Sequence, residues 1–182
     1  MTIRHTLRLA AAAVALTVGA ATAAHAQSPL KLGIAGGVAL PVADLADLNE
    51  AGYNGTVTLA FNAPLIPVGL RVDGMFNRLN AKDDALVAAP ALDVSSVNAN
   101  VTYTLLPLPV ARLYLIGGAG YYSTKFRDTA LETQGKLGYN GGAGVRFGTG
   151  GAQLFVEARY HRVNLENDAK LDFVPVTIGF LF

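Results

Sequence analysis

Eight segments of this chain alternate apolar and polar side chains with period two, and no other feature constrains its fold as tightly. Successive side chains along a β-strand point to opposite faces, so each segment reads as a strand with one apolar and one polar row. The fourth, at 97–105, is the clearest: Val97, Val101, Tyr103 and Leu105 oppose Asn98, Asn100, Thr102 and Thr104. In the seventh, Leu154, Val156, Ala158 and Tyr160 oppose Gln153, Glu157, Arg159 and His161, and in the third, Val68, Leu70, Val72 and Phe76 oppose Arg71, Asp73 and Asn77. The first (30–40), second, fifth and sixth follow suit, and in the last Val176, Ile178, Phe180 and Phe182 oppose Thr177, Gly179 and Leu181. Clusters of Pro, Gly, Asn and Asp separate the segments and mark the turns.

The polar row holds ions on most strands, among them Lys31, Arg71, Asp73, Arg112, Arg146, Glu157 and Arg159, with His161 at its loop-side end. Unpaired charges are costly in an apolar interior, so the apolar row is expected to face outward and the polar row to line the inside of a closed sheet. Loop lengths support this orientation. The connections at 62–67, 106–109 and 148–151 are short, whereas those at 41–51, 80–95, 123–135 and 164–171 are longer and carry most of the acids. Short turns alternating with long loops are the pattern of a membrane barrel with its turns and both chain ends on the periplasmic side. The expected fold is all-β: an eight-stranded antiparallel up-and-down transmembrane β-barrel.

Aromatic side chains sort into two belts on the outward faces. Tyr53, Phe76, Tyr121, Tyr139 and Tyr160 fall at loop-side ends, and Phe61, Tyr103, Phe147, Phe180 and Phe182 at turn-side ends. Membrane barrels carry such girdles where the two interfaces lie.

The N-terminus points to export. Arg4 and Arg8 precede an apolar Ala- and Leu-rich run, and Ala24-His25-Ala26 places small residues where a signal peptidase reads, so residues 1–26 are expected to be a signal peptide and 27–182 the barrel. With Arg4 and Arg8 removed, the basic residues fall from 14 to 12 against 13 acids, a net charge of about −1. That balance offers no basic surface for nucleic acid. The chain has no Cys, hence no disulfide, and its remaining single His with no Cys offers no transition-metal site. Asp44 with Asp47 and Asp83 with Asp84 read as solvated loop charges.

With eight strands, short turns, Gly-Gly-Val-Ala-Leu-Pro at 36–41 and Val-Thr-Ile-Gly-Phe-Leu-Phe at 176–182, the chain resembles the small outer-membrane β-barrel family that includes the OmpA transmembrane domain and OmpX. The resemblance covers essentially all of residues 28–182. It implies a Gram-negative outer membrane location, contact with membrane lipid and lipopolysaccharide, a monomer, and Phe182 as the C-terminal signal read by the barrel-assembly machinery. Functions in the family range over structural support, adhesion, defence, small pores and lipid modification.

An eight-stranded barrel is just wide enough inside for side chains to fill it. The inward ions are therefore expected to pair into a network, although five cations meet only two acids. Gly33, Ala35, Gly37, Gly118, Gly120, Gly142 and Gly144 on the same face are expected to leave room for water. Catalysis finds no motif. His161 is inward-facing and is followed two residues on by Val163 where a deacylase-like site needs Ser, leaving only a loose grouping with Ser123 and Asp128 near the rim. The expectation is a non-enzymatic protein without cofactor, with a structural or loop-mediated surface-binding role centred on 79–94 and 123–135. The alternatives are a small ion-conducting pore and a soluble periplasmic barrel carrying an apolar ligand.

Overall fold

A computed structural model describes residues 29–62, 66–82, 90–127, 134–148, 151–165 and 169–182. The signal peptide expected at 1–26, and Asp83, Asp84 and Asp128, lie outside the described residues. Eight strands form the fold: β1 (Leu30–Pro41), β2 (Asn49–Asn62), β3 (Val68–Ala81), β4 (Leu92–Pro107), β5 (Ala111–Phe126), β6 (Gln134–Phe147), β7 (Gln153–Asn164) and β8 (Lys170–Leu181). Each pairs antiparallel with its sequence neighbours, and β1 pairs with β8 to close the barrel. Closure leaves no unpaired edge, and the Phe182 N–H continues the seam by donating to the Leu32 carbonyl at 2.7 Å.

The faces divide as the alternation demands. Val57 is 62% exposed and Leu137 73%, whereas Asp73, Asn98 and His161 are 0% exposed. Apolar side chains thus cover the outside and polar ones fill the inside, which is the reverse of a soluble carrier with an apolar cavity. A soluble barrel with this exterior would expose apolar surface all round its wall, far more than a monomer in water tolerates.

Two features depart from the sequence reading. The strands run 12 to 16 residues, longer than the alternating segments, because the ladder continues into segments that read as loops. Ser95, Ser96, Ser123 and Thr124 remain paired across β4 and β5. At the loop-side ends the inward side chains turn apolar and the outward ones polar, so the polarity alternation reverses while backbone pairing goes on. The β1–β2 connection also holds a short helix, α1 (Asp44–Leu48), entered through Ala43 at φ 52°. Its Leu45 packs onto the loop-side end of the barrel interior.

Val57 lies midway along β2 between the belt residues Tyr53 and Phe61. Val57→Arg is expected to lower folding stability by about 2–4 kcal/mol, the cost of a cation at mid-bilayer on a lipid-facing wall. Urea titration of folding into phospholipid bilayers measures it.

Candidate functional site in the barrel lumen

Alternation on β3 points both Arg71 and Asp73 inward, and alternation on β7 does the same for Glu157 and Arg159. Strands β3 and β7 are four apart in a ring of eight, so these pairs face each other across the lumen. Arg71 Nε donates to Asp73 Oδ1 at 2.7 Å, and its Nη1 and Nη2 grip Glu157 at 2.8 and 3.3 Å. Arg159 Nη1 donates to Asp73 Oδ2 at 2.9 Å and its Nε to Glu157 Oε1 at 2.8 Å. Each acid therefore binds both arginines, and the four ions form a closed, neutral ring that ties opposite walls together.

Neutral donors complete the acids. Thr58 Oγ1 donates to Asp73 at 2.6 Å, Asn100 Nδ2 to Asp73 at 2.9 Å, and the Tyr114 hydroxyl to Glu157 at 2.7 Å. All four ions are at most 2% exposed. A buried carboxylate is stable only when its lone pairs are occupied in this way. The arginines are packed as well: the Arg71 guanidinium lies 5.2 Å from the Phe155 ring centre, and Arg159 Nη2 sits 3.4 Å from Met75 Sδ.

On the loop side of the ring comes a layer of amides and hydroxyls. Asn54 Nδ2 donates to Asn77 Oδ1 at 2.6 Å, and Asn98 Nδ2 to Ser96 Oγ at 2.9 Å. Beyond it lies an apolar cap of Ala39, Leu79, Leu92, Val94, Tyr122, Val163, Leu171 and Phe173, with Leu45 and Leu165 packed against it. His161 belongs to this cap and stands apart from the ion ring. Its ring stacks on Phe173 at 5.0 Å, and its Nδ1 shares a 2.8 Å hydrogen bond with the Tyr122 hydroxyl. That bond engages the histidine with a tyrosine, and Ser123 is on the next strand position, facing the other way.

The cap went unseen in the sequence because 79–94 reads as a loop. Inward parity carried along β3, β4, β7 and β8 would have found it, since Leu79, Leu92, Val94, Val163, Leu171 and Phe173 all keep the lumenal phase. The room expected beside the inward glycines is also taken. Tyr114 lies over Gly144, Tyr122 over Gly138, Asn100 beside Gly118, Asn98 beside Gly120, and Leu181 beside Gly33, each where a β-carbon would collide. Large neighbours lean into these glycine gaps, so small inward residues here mark close contact.

Lys31, Arg112 and Arg146 lie outside the ion ring, each one residue from the turn-side end of its strand. Arg146 is buried and its guanidinium lies 5.1 Å from the Tyr114 ring centre; Arg112 is half-buried. Lys31 Nζ donates to the Gly151 carbonyl at 2.7 Å.

On the outer wall, Tyr53, Phe61, Tyr103, Tyr121, Tyr139, Phe147 and Phe180 are exposed, and Tyr160 and Phe182 are half-exposed. Two outward ion pairs at loop-side strand ends were not legible as pairs. Arg78 binds Asp93 through two contacts of 2.6 and 2.8 Å, and Arg162 binds Asp172 through two of 2.8 and 2.7 Å. Each arginine also lies over outward aromatic rings, Arg78 over Tyr53 and Phe76, Arg162 over Tyr160. Among the described residues no group of three or more His, Asp or Glu is placed to hold a metal ion.

Removing one member of the ring leaves its partners buried and unbalanced. Asp73→Ala is expected to cost about 3–5 kcal/mol, whereas Arg71→Met combined with Glu157→Met, which leaves the Asp73–Arg159 pair balanced, costs much less. Urea unfolding midpoints of the two variants in the same bilayers give the comparison, and a double variant as unstable as the single one contradicts it.

Comparison with known proteins places this geometry. Residues 10–182 match the model of the outer membrane protein beta-barrel domain. Among solved structures, Neisserial surface protein A superposes with a TM-score of 0.64 at 13% identity, covering 85% of this chain and 96% of that one. The N-terminal β-barrel domain of Pseudomonas aeruginosa OprF gives 0.55 at 13% identity, covering 85% and 98%, and OprG from the same organism gives 0.55 at 12%, covering 85% and 97%. Comparison with curated protein sequences finds no match. An outward apolar wall, a lumen filled by ions and this family match agree on one placement: the chain belongs to the outer membrane protein β-barrel domain family and sits in an outer membrane of the Gram-negative type.

Proposed function

We propose that this protein is a non-enzymatic outer-membrane barrel that acts through its rigidity and its exposed loops, as a structural element and a binder or adhesin at the cell surface. The observation that carries the reading is the filled lumen. An ion ring spans from β3 to β7, and an apolar cap lies across the loop-side end, so a solute path would have to break both. A small pore is the weaker reading for the same reason. Interaction then falls to the surface between the strands on the loop side, chiefly the parts of 79–94 and 123–135 that lie outside them, 82–91 and 127–133.

The same reading assigns the outer wall. Tyr53, Tyr121, Tyr139 and Tyr160 serve the outer-leaflet girdle, where lipopolysaccharide is the neighbour, and Phe61, Tyr103, Phe147 and Phe180 the periplasmic one. Phe182 serves as the signal to the barrel-assembly machinery, and the barrel works as a monomer without a cofactor.

Two measurements test it together. The purified protein in planar bilayers is expected to give silent traces at several voltages. Cells carrying it are expected to lose adhesion to protein-coated surfaces when 83–89 and 128–133 are each replaced by a short Gly-Ser turn, with the barrel still folded. Stepwise conductance, or adhesion indifferent to both replacements, contradicts the proposal.

A further inference from the structure

Among the described residues, the ring holds Asp73 and Glu157 on Arg71 and Arg159. Lys31, Arg112 and Arg146 lie outside the ring, at the turn-side mouth. Arg112 and Arg146 are direct cross-strand partners on the inward face of β5 and β6. Like charges directly opposite each other on a sheet repel and destabilise the pairing. Lys31, on β1 at the other side of the mouth, reaches the Gly151 carbonyl in the β6–β7 turn. Neither Arg112 nor Arg146 has an acidic partner among the described residues.

Arg146 adds a second, independent observation. It is 6% exposed, and its Nε has no hydrogen-bond partner. Its Nη1 makes one long contact, 3.5 Å to Asn62 Oδ1, and Asn62 Nδ2 beside it is likewise buried without a partner. The two orphans are both donors, and a buried donor without an acceptor costs free energy that an acceptor would recover. The orphan acceptor at this end, Gln153 Oε1, needs a donor and lies outside what an anion would satisfy. The floor of the mouth is apolar, formed by Phe155, Leu181 and Ala60 below the ion ring. Two cross-strand arginines and two unfilled donors thus stand at the turn-side mouth above an apolar floor.

We propose that Lys31, Arg112 and Arg146 form an oxyanion-binding site at the turn-side mouth of the lumen, taking a phosphate-class group from the periplasmic side. Guanidinium groups favour such oxygens because their paired N–H donors match two oxygens at once. The ligand neutralises the Arg112–Arg146 repulsion, which explains how two like charges persist at one register position.

The test uses full-length mature protein folded in alkyl maltoside micelles, which contain no phosphate, with folding checked by heat-modifiable gel mobility. Inorganic phosphate is titrated at constant ionic strength and followed by calorimetry. Saturable one-to-one binding is expected, weakened about tenfold in Arg112→Gln, a half-exposed position whose loss removes one charge-assisted contact without emptying the core. Lys31→Gln supplies a second variant with the same expectation. Phosphatidylglycerol added to the micelles separates the sources: binding of that lipid, with inorganic phosphate silent, assigns the site to a headgroup in the inner leaflet. Heat that does not saturate, that chloride reproduces, or that is unchanged in both folded variants overturns the proposal.

Discussion

The requirement that every backbone N–H and C=O find a partner away from water governs the rest of this structure. In hydrocarbon an unsatisfied peptide group costs several kcal/mol, so a sheet can cross a bilayer only if it has no edge. Pairing β1 with β8 removes the edge, and eight strands then fix a narrow bore. Once the bore is fixed, the inward side chains have nowhere to go except into contact with one another. The ion ring, the amide layer and the apolar cap are three answers to that one packing problem.

The ring answers it at some cost. Bringing four charges out of water is unfavourable, and a well-packed apolar substitute is often no less stable. What ions supply is directional closure between walls that share no backbone hydrogen bonds. Arg71 and Glu157 connect strands on opposite sides of the barrel, resisting flattening in a way that non-directional packing does not. Tyr114 and Phe155 hold the arginine ends and acid oxygens in place from a third and fourth direction. A wall braced across its centre suits the proposed loop-mediated role, because loop geometry is only as steady as the strands that carry it.

Much of this was legible in the sequence because parity is a strong signal. Asp73 and Glu157 sit among apolar neighbours at positions that a period of two assigns to one face, and the inside-out orientation follows from them. That the aromatic side chains stand on the outer wall is legible for the same reason. Partner choice was not. Nothing in the spacing of Arg71, Arg112, Arg146 and Arg159 says which of them meet the acids, since that depends on strand stagger and on which walls end up opposite. Leu79, Leu92 and Val94 were hidden because the inward residues there turn apolar, the reverse of the polar phase along the rest of those strands. The Arg78–Asp93 and Arg162–Asp172 pairs were hidden because cross-strand neighbours are distant in sequence until register is known. Inward glycines misled for another reason: a missing β-carbon predicts a gap only if no neighbour is long enough to fill it, and Tyr114 is.

The central claim is that the chain's polarity is turned inside out around a filled bore. The chain has no Cys, so single cysteines can be placed at will along β2 and spin-labelled. Labels at Thr56, Val57, Thr58 and Leu59 in protein folded into bilayers would be read for collisions with oxygen, which concentrates in lipid, and with a polar nickel chelate, which stays in water. High oxygen accessibility at Val57 and Leu59, with Thr56 and Thr58 shielded from both reagents, is the result this account predicts. Oxygen collisions concentrated at Thr56 and Thr58, or chelate reaching them freely through an open lumen, would contradict it.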